Sequence, residues 1–287
     1  MIELLKGCRA AIVIGEPLTR RVIDSSSELR IIAKVGVGYD NIDVKEATER
    51  GVFVALTPVP EQAKAMAEYT FALMLSLAKK VPSGNQEIRS GRWGAPTAAG
   101  EVEDLYDKTL GLLGVGRIGA EVAKRAKAFE MPTLYYDLVR RTDLEETLGI
   151  VYVPFEELLS RSDILSIHVP LTSQTTNWLD GDAMARMKKG ALLINTARGA
   201  IVDEKALARA LNEHTLGGAS LDALTQEPPE PGHVFYMLGD RLPNLILTPH
   251  MGFSKKVVSA MATAAADQVV ETLGGARPKY VLNPEVK

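Results

Sequence analysis

The chain has 287 residues, of which 46% are hydrophobic and 24% are charged, and its formal net charge is -3. This length allows two domains with large cores, and the small net charge gives no electrostatic reason to expect nucleic acid or an anionic membrane as a partner. The single cysteine, Cys8, excludes an internal disulfide, which is typical of a reducing compartment, and no apolar run approaches the length of a membrane span. We therefore expect a cytoplasmic protein.

The first part of the chain alternates short apolar runs with helical patterns. A helix is predicted at residues 2–8 and strands at residues 10–14, 31–35 and 52–56, as in a parallel sheet. Val37 lies between two glycines directly after the second of these strands. The two glycines either form an ordinary turn or present consecutive N–H groups to a carboxylate, and the residues alone leave both alternatives open.

Residues 65–80 form a predicted helix that is apolar on nearly every side. Such a helix has to be covered by its own domain, by a neighbouring domain or by a second subunit. We interpret it as part of a homodimer interface. The sequence Pro-Ser-Gly-Asn at residues 82–85 then indicates a domain boundary.

Residues 109–137 contain, in order, a strand, a glycine turn, a helix, a second strand and an acid. The apolar residues 109–113 precede Gly114, Gly116 and Gly119, which have the spacing G-x-G-x-x-G. The first glycine permits the turn, the second lets backbone N–H groups approach a pyrophosphate, and the third lets the helix pack closely on the strand. Because the start of the helix also offers unpaired N–H donors and the positive end of its dipole, this stretch predicts a dinucleotide site.

Asp137 follows the second strand of this unit, predicted at residues 133–136. A carboxylate at that place can accept both hydroxyls of an adenosine ribose, and it would repel a 2′-phosphate. NAD is therefore predicted as the cofactor in preference to NADP. Arg140 and Arg141 follow closely and weaken that preference.

The second half of the chain continues the alternation, which predicts a doubly wound parallel sheet with functional loops at the carboxyl ends of its strands. Four residues at those ends are candidates for chemistry, namely His168, Arg198, Glu227 and His250. The predicted strands are 164–169, 191–196, 217–222 and 245–248, and the predicted helices are 155–160, 183–187, 204–212 and 254–273.

Arg198, Glu227 and His250 have side chains that suit the handling of an organic acid. A guanidinium just past a buried strand binds a carboxylate through two parallel hydrogen bonds, and a carboxylate on one imidazole nitrogen leaves the other to exchange a proton. The alternatives are a surface salt bridge for the arginine and ordinary packing for each histidine. His214 and His233 are assigned to packing or to the surface. No cluster has metal-ligand spacing, so no metal is predicted.

The chain carries a longer ordered set of motifs that resembles the D-isomer-specific 2-hydroxyacid dehydrogenases, a family that includes phosphoglycerate, glyoxylate/hydroxypyruvate and D-lactate dehydrogenases. The resemblance covers nearly the whole chain and is densest at residues 109–252. Its motifs are Gly36-Val37-Gly38-Tyr39-Asp40-Asn41-Ile42-Asp43, Ala67-Glu68, the GVGRIG turn at residues 114–119, His168-Val169-Pro170-Leu171-Thr172, Asn195-Thr196-Ala197-Arg198-Gly199, Glu227-Pro228 and Thr248-Pro249-His250.

The resemblance implies an α/β protein with two doubly wound parallel-sheet domains. An NAD-binding Rossmann domain, residues 83–252, would be inserted into a flavodoxin-like substrate domain formed by residues 1–82 and 253–287. Members of the family usually begin with a strand, a helix and a further strand, so the substrate domain is predicted to be truncated at its N-terminus by about 40 residues. The loop at residues 59–66 departs from the family pattern, so no particular substrate is implied.

The resemblance also implies an activity, the transfer of a hydride between NAD(H) and a pair of D-2-hydroxy and 2-oxo acids. His250 would be the acid/base with Glu227 as its partner, Arg198 would hold the substrate carboxylate and carbonyl, and Val37 and Gly38 would bind the carboxylate through their backbone. His250 would also contact both substrate and cofactor. The implied cofactor contacts are Thr70, Gly114, Gly116, Arg117, Ile118, Gly119, Asp137, His168, Val169, Pro170, Thr196, Ala197, Arg198, Asp222, His250 and Gly252.

Lys34 is a further candidate for the substrate site, because phosphoglycerate-specific members often carry arginine at this place. It would reach a distal phosphate or acid, and the alternative is an exposed or ion-paired lysine. Two other functions stay open beside the dehydrogenase. One is an NAD-sensing binding protein, since the family includes transcriptional corepressors, and the other is a truncated, inactive relative.

Overall fold

The computed structural model describes residues 1–93 and 101–286; residues 94–100 and 287, which fall within the two predicted domains, lie outside the described residues. The helices are α1 (Ile2–Leu5), α2 (Arg20–Ile23), α3 (Val44–Glu49), α4 (Pro60–Ala78), α5 (Val81–Arg89), α6 (Arg117–Ala128), α7 (Thr142–Leu148), α8 (Phe155–Arg161), α9 (Gly181–Ala185), α10 (Glu204–Asn212), α11 (Val234–Leu238) and α12 (Lys255–Leu273). The strands are β1 (Ala10–Val13), β2 (Ile31–Lys34), β3 (Phe53–Ala55), β4 (Leu110–Leu113), β5 (Thr133–Tyr136), β6 (Val151–Tyr152), β7 (Ile164–Ile167), β8 (Leu192–Asn195), β9 (Gly218–Leu221) and β10 (Leu245–Leu247).

The chain divides into two compact units. The first comprises Met1–Ala63 and Phe253–Lys287, and the second comprises Lys64–Gly252. Among the residues described, the helices are too short or too polar to pass through a bilayer.

The second unit is built on a seven-stranded sheet with the order β10-β9-β8-β7-β4-β5-β6. All of its neighbouring strands are parallel. The chain first runs outward from β4 to β6 and then returns to place β7 on the other side of β4. Loops at the carboxyl ends of β4 and β7 therefore leave the sheet in opposite directions, and a crevice at such a switch point is where open α/β sheets bind ligands.

Both faces of this sheet are covered, as a purely parallel sheet requires. Leu110 and Leu112 lie in a core with α4 and α6, while Leu113 lies in a second core with α8, α9 and α10. Neighbouring residues of β4 thus enter different cores, because successive side chains of a strand point to opposite faces. Continuous apolar strands are the result, in agreement with the sequence patterns.

Helix α4 is covered by its own unit. Phe71, Met74 and Leu77 are at most 5% exposed and pack in the core that contains Leu110 and Leu112. This is the first of the three alternatives for an all-round apolar helix, so the helix gives no reason for the predicted subunit interface. Its packing also accounts for the grouping of residues 64–82 with the second unit.

The residues of the predicted domain boundary, 82–85, are helical. They lie within α5, where Pro82 occupies the first turn. A proline is tolerated there because the first N–H groups of a helix have no partner within the helix. The Pro-Ser-Gly-Asn sequence therefore lies in the first part of a helix, and the domain boundary predicted there stays a prediction.

The first unit contains a three-stranded parallel sheet with the order β1-β2-β3. Its core includes Leu5, Ile32 and Val54. The end of the chain returns to this sheet, where the Asn283 side chain accepts a hydrogen bond from the Val54 N–H at 2.9 Å and donates to the Val52 carbonyl at 2.8 Å. Both termini of the described chain thus belong to one unit.

Candidate active site

The glycine turn between β4 and α6 has a separate steric reason for each glycine. Gly114 has a φ of 95°, and a Cβ added to it would lie 2.9 Å from Val169 Cγ1. A Cβ on Gly119 would lie 2.2 Å from the Gly114 carbonyl oxygen. A Cβ on Gly116, which caps α6, would meet no atom within 4 Å. The open space beside this helix start is the cradle that a pyrophosphate needs, so the residues present fit a dinucleotide.

Replacing Gly119 by alanine should destabilise the second unit and weaken dinucleotide binding. The added Cβ meets backbone and not a flexible side chain, so the turn has to shift, at a cost of about 1–3 kcal/mol. We expect Tm to fall by several degrees and NADH affinity to fall with it, measured by thermal unfolding and titration. Gly232→Ala is the matched control, since its Cβ would meet nothing within 4 Å. Equal changes of Tm and of NADH affinity in the two variants would contradict the steric role assigned to Gly119.

Asp137 holds the glycine turn from the end of β5. Its Oδ2 accepts the Val115 N–H at 2.8 Å. The carboxylate is thereby fixed beside the turn, where its other oxygen is suited to accept a ribose hydroxyl. Asp137 therefore combines a structural contact with the position predicted for a cofactor contact.

His168 lies next to the turn at the carboxyl end of β7. A Cβ on Gly114 would lie 3.0 Å from the His168 carbonyl carbon, and His168 Nε2 lies 2.9 Å from Ser166 Oγ. Burial lowers the pKa of His168 to about 4. The imidazole is therefore neutral near pH 7 and adds no positive charge to the predicted pyrophosphate site.

Arg198 is positioned by the polar residue that ends β8. Asn195 is fully buried; its Nδ2 donates to the Arg198 carbonyl at 2.8 Å, and its Oδ1 accepts the Ala197 N–H at 2.9 Å. Gly199 then allows close packing, because a Cβ there would lie 2.0 Å from the Leu224 carbonyl carbon. The loop that carries Arg198 thus packs closely against the segment that leads to Glu227.

Glu227 and His250 form a hydrogen-bonded pair. His250 Nδ1 lies 2.8 Å from Glu227 Oε2, and Glu227 Oε1 accepts the Leu224 N–H at 2.9 Å. The hydrogen bond to Glu227 raises the pKa of His250 against the opposing effect of burial. Burial alone would raise the pKa of Glu227, but the His250 hydrogen bond and charge, with smaller contributions from Leu224 and Arg198, lower it. Arg198 also acts on His250, since its positive charge opposes protonation of the imidazole.

His250 has a left-handed backbone, with a φ of 51°. Its N–H donates to the Asp222 carbonyl at 2.9 Å. The Asp222 carboxylate, 2% exposed, accepts from the Thr248 hydroxyl at 2.7 Å and from the Met251 N–H at 3.0 Å. These bonds from Thr248 and Met251, one on each side of His250 in the chain, hold a conformation that non-glycine residues seldom adopt, and such conformations cluster at functional sites.

The structure brings the candidate residues of the second unit to one edge of the sheet, while three candidates lie in the first unit. The Thr70 hydroxyl donates to the Met66 carbonyl at 2.8 Å and lies 3.2 Å from Thr196 Oγ1, so these two predicted cofactor contacts adjoin. The first-unit candidates are Lys34, Val37 and Gly38.

The turn in the first unit is held by Thr57. Its hydroxyl accepts the Gly36 N–H at 2.7 Å and donates to the Lys34 carbonyl at 2.9 Å. Lys34 is only 6% exposed, so the alternative of an exposed lysine is wrong. Its role as a substrate ligand, like those of Val37 and Gly38, stays a prediction.

Asp222 was predicted as a cofactor contact, but Asn195, His233 and Glu204, which also organise the site, were not predicted to be functional. Asn195 is a polar residue at the end of an apolar strand, and that position is the signal that could have identified it. His233 belongs to a second pair, with Nε2 2.9 Å from Glu204 Oε2, and Glu204 Oε1 accepts the Thr225 N–H at 2.8 Å. Packing is thus the right description of His233, but the pair it forms supports the segment before Glu227.

These features define the class of the protein. A parallel sheet with its switch point beside a glycine turn, a carboxylate after the second strand and an imidazole–carboxylate–guanidinium set at the same edge together describe a dinucleotide-binding protein of the Rossmann type. Among the described residues, no group of three His, Cys, Asp or Glu side chains is placed to hold a metal ion.

Comparison with known proteins identifies the family. Residues 71–252 match the family model described as "D-isomer specific 2-hydroxyacid dehydrogenase, NAD binding domain". The chain belongs to the D-isomer-specific 2-hydroxyacid dehydrogenase family, so the predicted family is confirmed, as is the α/β class with parallel, Rossmann-like sheets.

Three relatives illustrate the similarity. The glyoxylate reductase of Korarchaeum cryptofilum is 41% identical over 290 residues, covering 100% of this chain and 86% of the relative. The glyoxylate reductase of Pyrococcus furiosus is 39% identical over 293 residues, covering 100% and 85%. The crystal structure of the Aquifex aeolicus D-lactate dehydrogenase, complexed with NAD and lactic acid, superposes with a TM-score of 0.87 at 31% identity and covers 96% of this chain and 86% of that chain.

Proposed function

We propose that the protein transfers a hydride between NAD(H) and a small D-2-hydroxy acid and 2-oxo acid pair, and that it reduces glyoxylate. The observation that carries the proposal is the His250–Glu227 pair, joined at 2.8 Å, with the Arg198 charge acting on both partners. The set lies in the same unit as the dinucleotide turn. A proton donor, a carboxylate clamp and a cofactor site are the three parts that this reaction needs.

His250 moves the proton. In reduction it starts protonated, with Nδ1–H donating to Glu227 and Nε2–H donating to the oxygen of the 2-oxo acid. After the proton leaves Nε2, the Nδ1–H stays in place because Glu227 offers only an acceptor. In oxidation the neutral Nε2 takes the proton from the substrate hydroxyl. The nicotinamide ring, when bound, supplies or accepts the hydride at the substrate carbon.

Arg198 orients the substrate and stabilises charge. Its planar guanidinium holds a carboxylate through two parallel hydrogen bonds, a geometry that a lysine cannot supply. The same positive charge stabilises negative charge that develops on the 2-oxo oxygen during reduction. The predicted contacts of Val37 and Gly38 with the substrate carboxylate are part of the proposal and are supported by the family resemblance.

The preference for NAD over NADP is likewise a proposal, and it is supported by the carboxylate of Asp137 beside Val115. A 2′-phosphate carries about two negative charges and would be repelled there. The similar D-lactate dehydrogenase of Aquifex aeolicus was crystallised with NAD. Glyoxylate as the substrate is supported by the similarity to two archaeal glyoxylate reductases.

Initial rates with glyoxylate, hydroxypyruvate, phosphohydroxypyruvate and pyruvate, each with NADH and with NADPH, test the proposal. We expect turnover with NADH and the highest kcat/KM for glyoxylate. Stabilisation by NADH without turnover of any 2-oxo acid would favour the NAD-sensing alternative, and neither binding nor turnover would indicate an inactive relative. The homodimer, the cytoplasmic location and the assignment of domains to cofactor and substrate stay predictions.

Glu227→Gln should move the pH dependence of the reaction to lower pH. Reduction needs protonated His250, so its kcat/KM falls as the pH rises through the pKa of His250, which Glu227 raises above the ordinary 6.5. The glutamine removes the negative charge, and the falling limb then occurs at lower pH, with a maximal rate lower by about 10-fold or more. The measurement is kcat/KM for glyoxylate from pH 5 to 9. An unshifted profile would mean that the pair does not set the catalytic pKa.

A further inference from the structure

The segment that follows Asp137 contains two arginines, and both are held by acids of the same segment. Arg140 donates from Nε and Nη2 to the two carboxylate oxygens of Glu145, each at 2.9 Å. Arg141 donates from Nε and Nη2 to the two oxygens of Asp143 at 2.8 and 2.7 Å. Each guanidinium thus donates two parallel hydrogen bonds to one carboxylate. A guanidinium binds a phosphate with the same two-bond geometry.

Glu145 is fixed from beneath by a buried tyrosine. Tyr135 is 0% exposed, and its hydroxyl donates to Glu145 Oε1 at 2.7 Å while accepting the Arg141 N–H at 2.7 Å. The Arg140 hydrogen bonds, followed by that of Tyr135, lower the pKa of Glu145, so the carboxylate is ionised near pH 7. The ion pair with Arg140 is therefore anchored to the end of β5 and differs from a mobile surface contact.

Arg141 has a second contact, which ties it to the glycine turn. The Nη1 of Arg141 donates to the Val115 carbonyl at 3.1 Å, and the Val115 N–H donates to Asp137 Oδ2 at 2.8 Å. The Val115 residue is thus held from both sides. Arg141 therefore helps to position the dinucleotide turn. The Arg140–Glu145 pair does not include the hydrogen bond between Arg141 and Val115, so it is the pair to alter in an experiment.

We propose that Glu145, together with Asp143, determines cofactor selectivity. The two acids accept the hydrogen bonds of Arg140 and Arg141, so these arginines are not available to bind the 2′-phosphate of NADP, and NAD is preferred. The inference rests on the proposed function, because it concerns the choice between two nicotinamide cofactors. It explains how two arginines next to the ribose carboxylate are compatible with that choice. Residues 137–146 carry four acids against these two arginines, so the segment presents net negative charge to a 2′-phosphate.

The test is direct binding of NADH and of NADPH to the full chain, followed by cofactor fluorescence, with Glu145→Gln. Glutamine keeps an acceptor for Tyr135 and removes the charge that holds Arg140. We expect NADPH affinity to rise about 5–10-fold relative to NADH, the range that about 1 kcal/mol or somewhat more of charge-assisted bonding provides. Arg140→Gln combined with Glu145→Gln should abolish this gain, because the freed guanidinium is its source.

Glu146→Gln is the matched control, since Glu146 is exposed in the same helix and the change in charge is equal. An equal gain in Glu146→Gln, or a gain that persists in the double variant, would overturn the inference and indicate a general charge effect. An unchanged NADPH to NADH ratio in Glu145→Gln would also overturn it. Failure of the unaltered protein to bind NADH would instead contradict the proposed function, so the two failures are distinguishable.

Discussion

Replacing His250 by asparagine should lower kcat for glyoxylate reduction by about 10²–10⁴-fold, the range for loss of a positioned acid/base, while NADH affinity stays nearly unchanged. Asparagine is the informative substitution because His250 has a φ of 51°, and asparagine tolerates the left-handed region better than most residues. Alanine removes the same imidazole but adds backbone strain. Similar losses in both variants would therefore assign the effect to the missing proton donor.

His214→Asn is the control for this experiment. His214 also has a positive φ, 55°, and lies exposed in a turn of the same unit. Steady-state rates and NADH titration of all three variants make the comparison. If His250→Asn kept more than a tenth of the activity, or lost NADH binding to the same degree as turnover, the acid/base role would be wrong.

Replacing Arg198 by lysine should lower kcat/KM by about 10²–10³-fold, as for removal of one group that stabilises an oxyanion. The charge is kept, so the effect measures the two-bond geometry and not electrostatics. We expect a rise in KM for glyoxylate together with a fall in kcat, because Arg198 is proposed to hold the carboxylate and to stabilise the carbonyl oxygen. NADH affinity should change little.

Arg161→Lys provides the matched substitution. Arg161 is exposed and pairs with Glu157 four residues before it, so its replacement should leave the kinetics unaltered. Guanidinium added to the Arg198→Lys assay offers a second readout, since partial recovery of the rate would indicate that the missing fork is the cause. If the Arg198→Lys variant had wild-type rates, the proposed role of Arg198 in binding the substrate would be wrong.

Much of the fold was predictable because its signals are local. The ranges predicted for β4, β5 and α10 agree with the structure to within one residue at each end, since uninterrupted apolar strands and a well-capped amphipathic helix have distinct periods. The short strand β6 and helices α2, α5, α7 and α11 were not predicted. Val151 in β6 is 51% exposed, and α7 has no buried residue. Neither element therefore shows in its sequence the periodic hydrophobic pattern on which prediction depends.

The family resemblance implied the pairing of Glu227 with His250, whereas the partners of Arg140 and Arg141 were not predicted. Arg198, Glu227 and His250 stand out from the sequence as polar residues after apolar strands. The partner of each arginine near Asp137 was not predictable, because Arg140 and Arg141 have several acids within reach along the chain. Which acid each one contacts depends on the path of the loop and on the buried hydroxyl of Tyr135 beneath it.

The sequence by itself determined the parallel α/β architecture, the dinucleotide turn and the identity of the polar residues at the strand ends, since each depends on residue period or on a steric need met by neighbours in the chain. Only the tertiary structure decided that α4 is buried in its own unit and that Glu145 holds Arg140, and it brings Glu227 and His250, whose pairing the family resemblance implied, to 2.8 Å from each other. Such contacts follow from strand order and from which groups share a desolvated edge, and these are properties of the assembled sheet that no single stretch of sequence contains.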